Sequence, residues 1–207
     1  MKQQGKIIAV VGAPSIGKST LVRNLDEHYE VKAFFEGEQS YWPGYIKNNI
    51  ANNENRLQTT LYFHNQNIRQ YVEALKLREK NHNVVLDTFW LTNLFFLHDQ
   101  IYKNKEEQEL LRDLIEVTNK SMELPDYILY LSATDELIKK RSLDRGRDFE
   151  ANIFENFYKV NKAHADFFEK GGAKKELSKC KIIKVPAGRI KYHWLTNKIG
   201  INKRATQ

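Results

Sequence analysis

One cysteine, Cys180, among 207 residues leaves no partner for an internal disulfide, as expected of a chain kept in a reducing cytoplasm. Four prolines and ten glycines, with no low-complexity segment and no internal repeat, confine the expected disorder to the ends. Long apolar runs are also missing. The longest stretches, such as Ile7 to Gly12 and Tyr127 to Leu131, fall far short of the roughly 20 residues that cross a bilayer. The opening Met-Lys-Gln-Gln-Gly-Lys has no secretory apolar region, so no membrane partner is expected. His64, His82, His98 and His164 show no metal-ligand spacing and read as structural or exposed.

What is present is ordinary for a globular protein: 41% hydrophobic and 29% charged residues. A chain of this length fits one core, so residues 1–207 are expected to form a single domain. The net charge of +7 raises the question of a nucleic-acid surface. The charge is spread, however, with one cluster at Lys139 to Arg147 and another at Lys174 to Lys184. The second reads as a solvated face. No separate nucleic-acid module is visible, and a nucleic-acid partner is not expected.

Lys6 to Val11, Val31 to Phe35, Asn83 to Asp87, Tyr127 to Leu131 and Lys181 to Val185 are short, nearly continuous apolar runs, the pattern of strands covered on both faces. Between them, Ser19 to His28, Gln58 to Lys80, Asn93 to Asn119, Asp135 to Arg141 and Phe149 to Lys170 carry helical periodicity. The alternation predicts an α/β fold of three layers, with a five-stranded parallel sheet and helices on both faces. The two long helices, Gln58 to Lys80 and Asn93 to Asn119, also offer a face for a homodimer.

Gly12-Ala13-Pro14-Ser15-Ile16-Gly17-Lys18-Ser19, followed by Thr20, is a phosphate-loop pattern, and it lies between a predicted strand and a predicted helix as its chemistry requires. The glycines let backbone N–H groups wrap phosphate oxygens, and the helix dipole adds to the attraction. Lys18 would bridge the β- and γ-phosphates of a nucleotide such as ATP, and the Ser19 hydroxyl would reach Mg²⁺. Further along, Arg141, Arg145 and Arg147 are spaced four and two apart. Such guanidinium forks suit a transferring phosphoryl group, and a segment carrying several of them can close over a triphosphate.

On the phosphate loop and the run Arg141, Arg145, Arg147, Glu150, the chain resembles the deoxynucleoside kinase family, whose lid reads Arg-x-x-x-Arg-x-Arg-x-x-Glu. The resemblance implies a P-loop kinase fold with an arginine-bearing lid at about residues 141–150, and transfer of the ATP γ-phosphate to a nucleoside 5′-hydroxyl. It implies phosphate contacts for the three arginines and a sugar contact for Glu150. By position it implies Glu36 as the base, with Glu38 as the fallback, Trp42 beside the nucleoside, and Gln58 reading the base. It also places Asp87, at the end of the third strand, on Mg²⁺ or its water. Two features depart from the family: a Glu-Pro pairing near the base is absent, and Thr88 stands where the family has an arginine. Asn65 and Asn93 lie near positions that often carry charged base-reading residues, and the turn Val185 to Arg189 lies where such kinases pack against adenine. The acceptor is therefore expected to be a small nucleoside or nucleotide. A nucleoside monophosphate kinase, with Arg56 and Arg69 available for a second phosphate, and a nucleotide-binding regulatory ATPase remain the alternatives.

Overall fold

The computed structural model describes residues 4–36, 39–97, 101–146 and 154–205. Five strands, β1 (Ile7–Val11), β2 (Lys32–Phe34), β3 (Val84–Asp87), β4 (Tyr127–Ser132) and β5 (Lys181–Pro186), form one parallel sheet in the order β2-β3-β1-β4-β5. Their order puts β1 in the centre, with Ile8 in register with both Val85 and Tyr127. Every residue of β1 and β3 is buried, as a sheet covered on both faces demands.

Alternation along β1 feeds two cores. Ile7, Ala9 and Val11 point into one layer with Leu86, Trp90 and Leu111, while Ile8 and Val10 point into the other with Leu21, Leu25 and Leu195. The first layer is built by α3 (Arg56–Glu79), α4 (Lys105–Ser121), α6 (Phe154–Glu169) and α7 (Gly172–Glu176), the second by α1 (Lys18–His28) and α8 (Tyr192–Ile199). The remaining helices, α2 (Gly44–Asn52) and α5 (Asp135–Arg145), lie beyond the C-terminal ends of β2 and β4 in the chain. Among the described residues no helix is long and apolar enough to cross a membrane.

Two sequence expectations need correction. The expected helix Asn93 to Asn119 is broken: Trp90–Phe96 forms a 3-10 turn, and α4 starts only at Lys105. The new helix begins at a cap: the Asn104 side chain accepts from the Glu107 amide at 3.2 Å. The helix at Asp135 runs on past Arg141 to Arg145, so both arginines stand on its last turns. It ends at Gly146, which has a φ of 60°, a left-handed C-terminal stop. Of the expected lid, Arg147 and Glu150 lie outside the described residues, as do the fallback base Glu38 and His98.

Candidate active site

The loop after β1 turns through two glycines that no other residue replaces easily. Gly12 has a φ of 151°, and a Cβ there would meet the Leu131 carbonyl oxygen at 3.0 Å. Gly17 has a φ of 102°, and its Cβ would meet an Arg141 nitrogen at 2.8 Å. Gly17 caps α1 with no side-chain acceptor, so the first amides of that helix face outward with no side chain to satisfy them, which suits an anion. Ala13 and Ile16 are turned into the core and contribute backbone only. Ser15, at a φ of 59°, together with Pro14 and Thr20, lines the cavity above the loop. The Lys18 ammonium is folded back onto the Gly12 and Ala13 carbonyls, at 3.1 and 3.2 Å.

Beside the loop, the Ser19 hydroxyl donates to Asp87 at 2.5 Å. Asp87 is 3% exposed at the C-terminal end of β3. A hydroxyl and a carboxylate are hard oxygen donors, and together they fit Mg²⁺, which kinases hold with one or two protein ligands plus phosphate oxygens and water. Among the described residues no cluster of three or more His, Cys, Asp or Glu forms a metal cage.

A cavity of about 1050 Å³ is lined by this region together with residues that follow β2, from α3 and from the segment after β3. Glu36, just past β2, lines it, and the preceding Phe35 carbonyl is held by the Gln70 amide at 2.5 Å. Trp42 lines it too, standing edge-on to Phe63 with ring centroids 5.0 Å apart. From α3 the cavity receives Arg56, Thr59, Thr60 and Phe63, and from the segment after β3 it receives Thr88, Thr92 and Asn93. Thr88 is buried at a φ of 86°, a conformation that costs a β-branched residue about 1–3 kcal/mol. Its hydroxyl pairs with that of Thr92 at 2.7 Å, and Thr92 donates in turn to the Phe89 carbonyl at 2.8 Å.

Behind Asn93 stands His64, which reads from sequence as structural or exposed and proves to be 2% exposed. Its Nδ1 faces the Asn93 amide at 3.4 Å and its Nε2 faces the Thr118 hydroxyl at 3.2 Å. Because the Thr118 hydroxyl donates to the Leu114 carbonyl, it accepts from His64, which makes Nε2 the protonated nitrogen. Burial holds this imidazole below its ordinary pKa, so it stays neutral and accepts from Asn93.

On the far wall Arg141 donates to the Ile16 carbonyl and, at 2.9 Å, to that of Ala187. It thus ties the phosphate loop to the turn after β5, where Ala187, Ile190 and Tyr192 also line the cavity. Arg145 joins the lining as well.

Gln58 is not brought to this cavity. It is exposed, accepts from the Asn49 amide at 2.8 Å, and lines a separate shallow cavity of about 380 Å³ with Asn65 and Arg69. The reason is helical geometry: at about 100° per residue, the face carrying Thr59, Thr60 and Phe63 turns Gln58 away. The stripe Arg56, Thr59/Thr60, Phe63, with i, i+3/i+4, i+7 spacing, was the signal for the inward face.

A family model described as an AAA domain matches residues 7–164, from β1 into α6. No curated protein matches the chain. Among solved structures, deoxyadenosine kinase from M. mycoides with products dCMP and a flexible dCDP bound superposes with a TM-score of 0.74 at 19% identity, covering 94% of this chain and 98% of that one. The same kinase with bound dATP gives 0.73 at 19% identity, over 94% and 99% of the two chains. With bound dCTP it gives 0.72 at 17% identity, over 94% and 98%. The chain therefore belongs to the AAA domain family, and its fold is that of a P-loop kinase of the deoxynucleoside kinase kind.

Proposed function

We propose that the protein transfers the γ-phosphate of MgATP to a nucleoside-type acceptor, with a nucleoside 5′-hydroxyl as the attacking group. The observation that supports this is that one cavity is lined by Lys18, Ser19 and Asp87 and also by Glu36 and Trp42. The deoxyadenosine kinase structures of the same fold hold dCMP, dATP and dCTP, and two nucleotide-sized guests are what a cavity of this extent would take.

In this reading the loop amides and Lys18 hold the triphosphate. Mg²⁺, held by Ser19 and Asp87 when bound, offsets charge on the phosphate oxygens. Glu36 accepts the hydroxyl proton, and Trp42 packs against the acceptor. Arg145, with Arg141 and Arg147, neutralises the equatorial oxygens, and Glu150 meets the sugar. Catalysis then rests on positioning and electrostatics rather than on covalent chemistry.

A second reading, transfer to a nucleoside monophosphate, is favoured by Arg56, which lines the same cavity as Glu36 and Trp42, whereas Arg69 lines a separate one. A radiolabelled ATP transfer screen over common nucleosides and nucleoside monophosphates tests both. Label in any phosphorylated product of the screen, a nucleoside 5′-monophosphate or a product of an acceptor that already carries a phosphate, supports the transfer, and the labelled product tells the two readings apart. ATP hydrolysis with no labelled acceptor anywhere in the screen would remove the phosphotransferase reading.

A further inference from the structure

The cavity's cations are not equally engaged. Lys18 rests on two carbonyls, Arg141 on two more, and Arg23 lies over the Phe35 ring with 5.8 Å to its centroid. Arg56 differs. It is half-buried in the cavity wall, on the same helix as the Phe63 that packs against Trp42, and among the described residues it makes no hydrogen bond and no ion pair. Glu54 lines the same cavity, yet its carboxylate takes a hydrogen bond from Asn52 at 3.2 Å and does not pair with the guanidinium.

Its position compounds the imbalance. Arg56 opens the 24-residue helix α3, whose first turn contains no acidic residue and whose cap, Asn55, accepts no helix amide with its side chain, which donates instead to Asn49 at 3.2 Å. A cation there meets the positive end of the helix dipole. Burial also holds its pKa below the ordinary arginine value, with the Tyr102 hydroxyl as the one group acting the other way. A partly desolvated guanidinium with no counter-ion is unfavourable unless a ligand supplies the charge, and its planar fork matches the oxygens of a phosphate.

We propose that Arg56 is the specificity-determining cation for the acceptor in this cavity, and that the favoured acceptor is a nucleoside already bearing a phosphate. This rests on the phosphotransferase reading above and narrows its substrate class. In the transfer, the bond between the γ-phosphorus and the β–γ bridging oxygen breaks, a new phosphorus–oxygen bond forms to the acceptor, and ADP leaves. If the acceptor is a 5′-monophosphate dianion, its phosphate oxygen attacks and no proton is released. If the phosphate sits at the 3′ position, the 5′-hydroxyl attacks and its proton passes to Glu36.

The test compares one nucleoside, its 5′-monophosphate and its 3′-monophosphate as acceptors for the full chain and for Arg56→Ala, Arg56→Gln and Arg56→Lys. One phosphorylated acceptor should exceed the neutral nucleoside in kcat/KM by about 100-fold, the worth of a charge-assisted contact. Arg56→Ala and Arg56→Gln should collapse that ratio through the acceptor KM, and Arg56→Lys should restore part of it, with the KM for ATP nearly constant throughout. Neutral and phosphorylated acceptors used equally well by the parent would overturn the role of Arg56 and leave the kinase reading standing. An unchanged preference in Arg56→Ala would do the same. No transfer to any of the three by the parent would instead overturn the kinase reading on which the proposal rests.

Discussion

At the scale of single residues, Lys18 and Arg145 separate two kinds of electrostatic work. The Lys18 ammonium rests on the Gly12 and Ala13 carbonyls, and under the proposed function it would exchange those contacts for phosphate oxygens. Lys18→Ala should lower kcat by at least 10²–10³-fold, the range for losing a preorganised donor to developing charge. Normal turnover in that variant would contradict the phosphate-loop role. Arg145, on the last turn of α5, should matter to turnover far more than to acceptor binding. Steady-state kinetics of Arg145→Ala should show kcat falling with the acceptor KM little moved, and an unaltered kcat would take Arg145 out of the mechanism. The phosphate loop was fully legible in the sequence because its backbone geometry demands glycine at two fixed positions. Gln58 misled because its distance along the chain from β3 says nothing about which way a helix face turns.

At the scale of elements, β1, β3 and β4 were legible almost to the residue, since burial on both faces leaves an uninterrupted apolar run, while the edge strands β2 and β5 keep exposed lysines. Helices were read less well where side chains outside the core decide. α2 buries only Ile46 and Asn49, too thin a stripe to register as periodic. The break before α4 was hidden by the aromatic and aliphatic run Trp90 to Phe96, which continues an apolar pattern while its backbone follows a 3-10 path. The short-range cap at Asn104 was the local signal for a new start, with Glu107 three residues on and Glu106 beside it in the first turn. If that cap sets the break, Asn104→Ala should destabilise the fold by about 1 kcal/mol, or about 2–4 °C in Tm for a chain of this size. Calorimetry checks it, and an unchanged Tm would mean that tertiary packing alone positions α4.

At the scale of the whole molecule, stability must depend on pH through histidines folded away from water. His164 is 1% exposed, its Nδ1 donates to the Val160 carbonyl at 2.8 Å, and its ring lies against Phe95 with centroids 3.9 Å apart. Burial pushes its pKa down to about 3, with the Val160 hydrogen bond opposing the shift and the Lys18 charge adding to it. The folded chain therefore binds fewer protons than the unfolded chain, where histidine titrates near 6.5. With the folded pKa depressed, stability is fully present above about pH 6.5 and falls as pH drops, until the folded form itself protonates near 3. Between pH 7 and pH 4 this single group should remove on the order of 3 kcal/mol. His64, also held below its ordinary value by burial, acts in the same direction. Urea denaturation from pH 7 to pH 4 should show the loss. In His164→Phe, which keeps the aromatic contact and removes the titrating nitrogen, the slope should flatten while stability at pH 7 changes little. A slope as steep in that variant as in the parent would assign the acid sensitivity to other groups and leave His164 as packing alone.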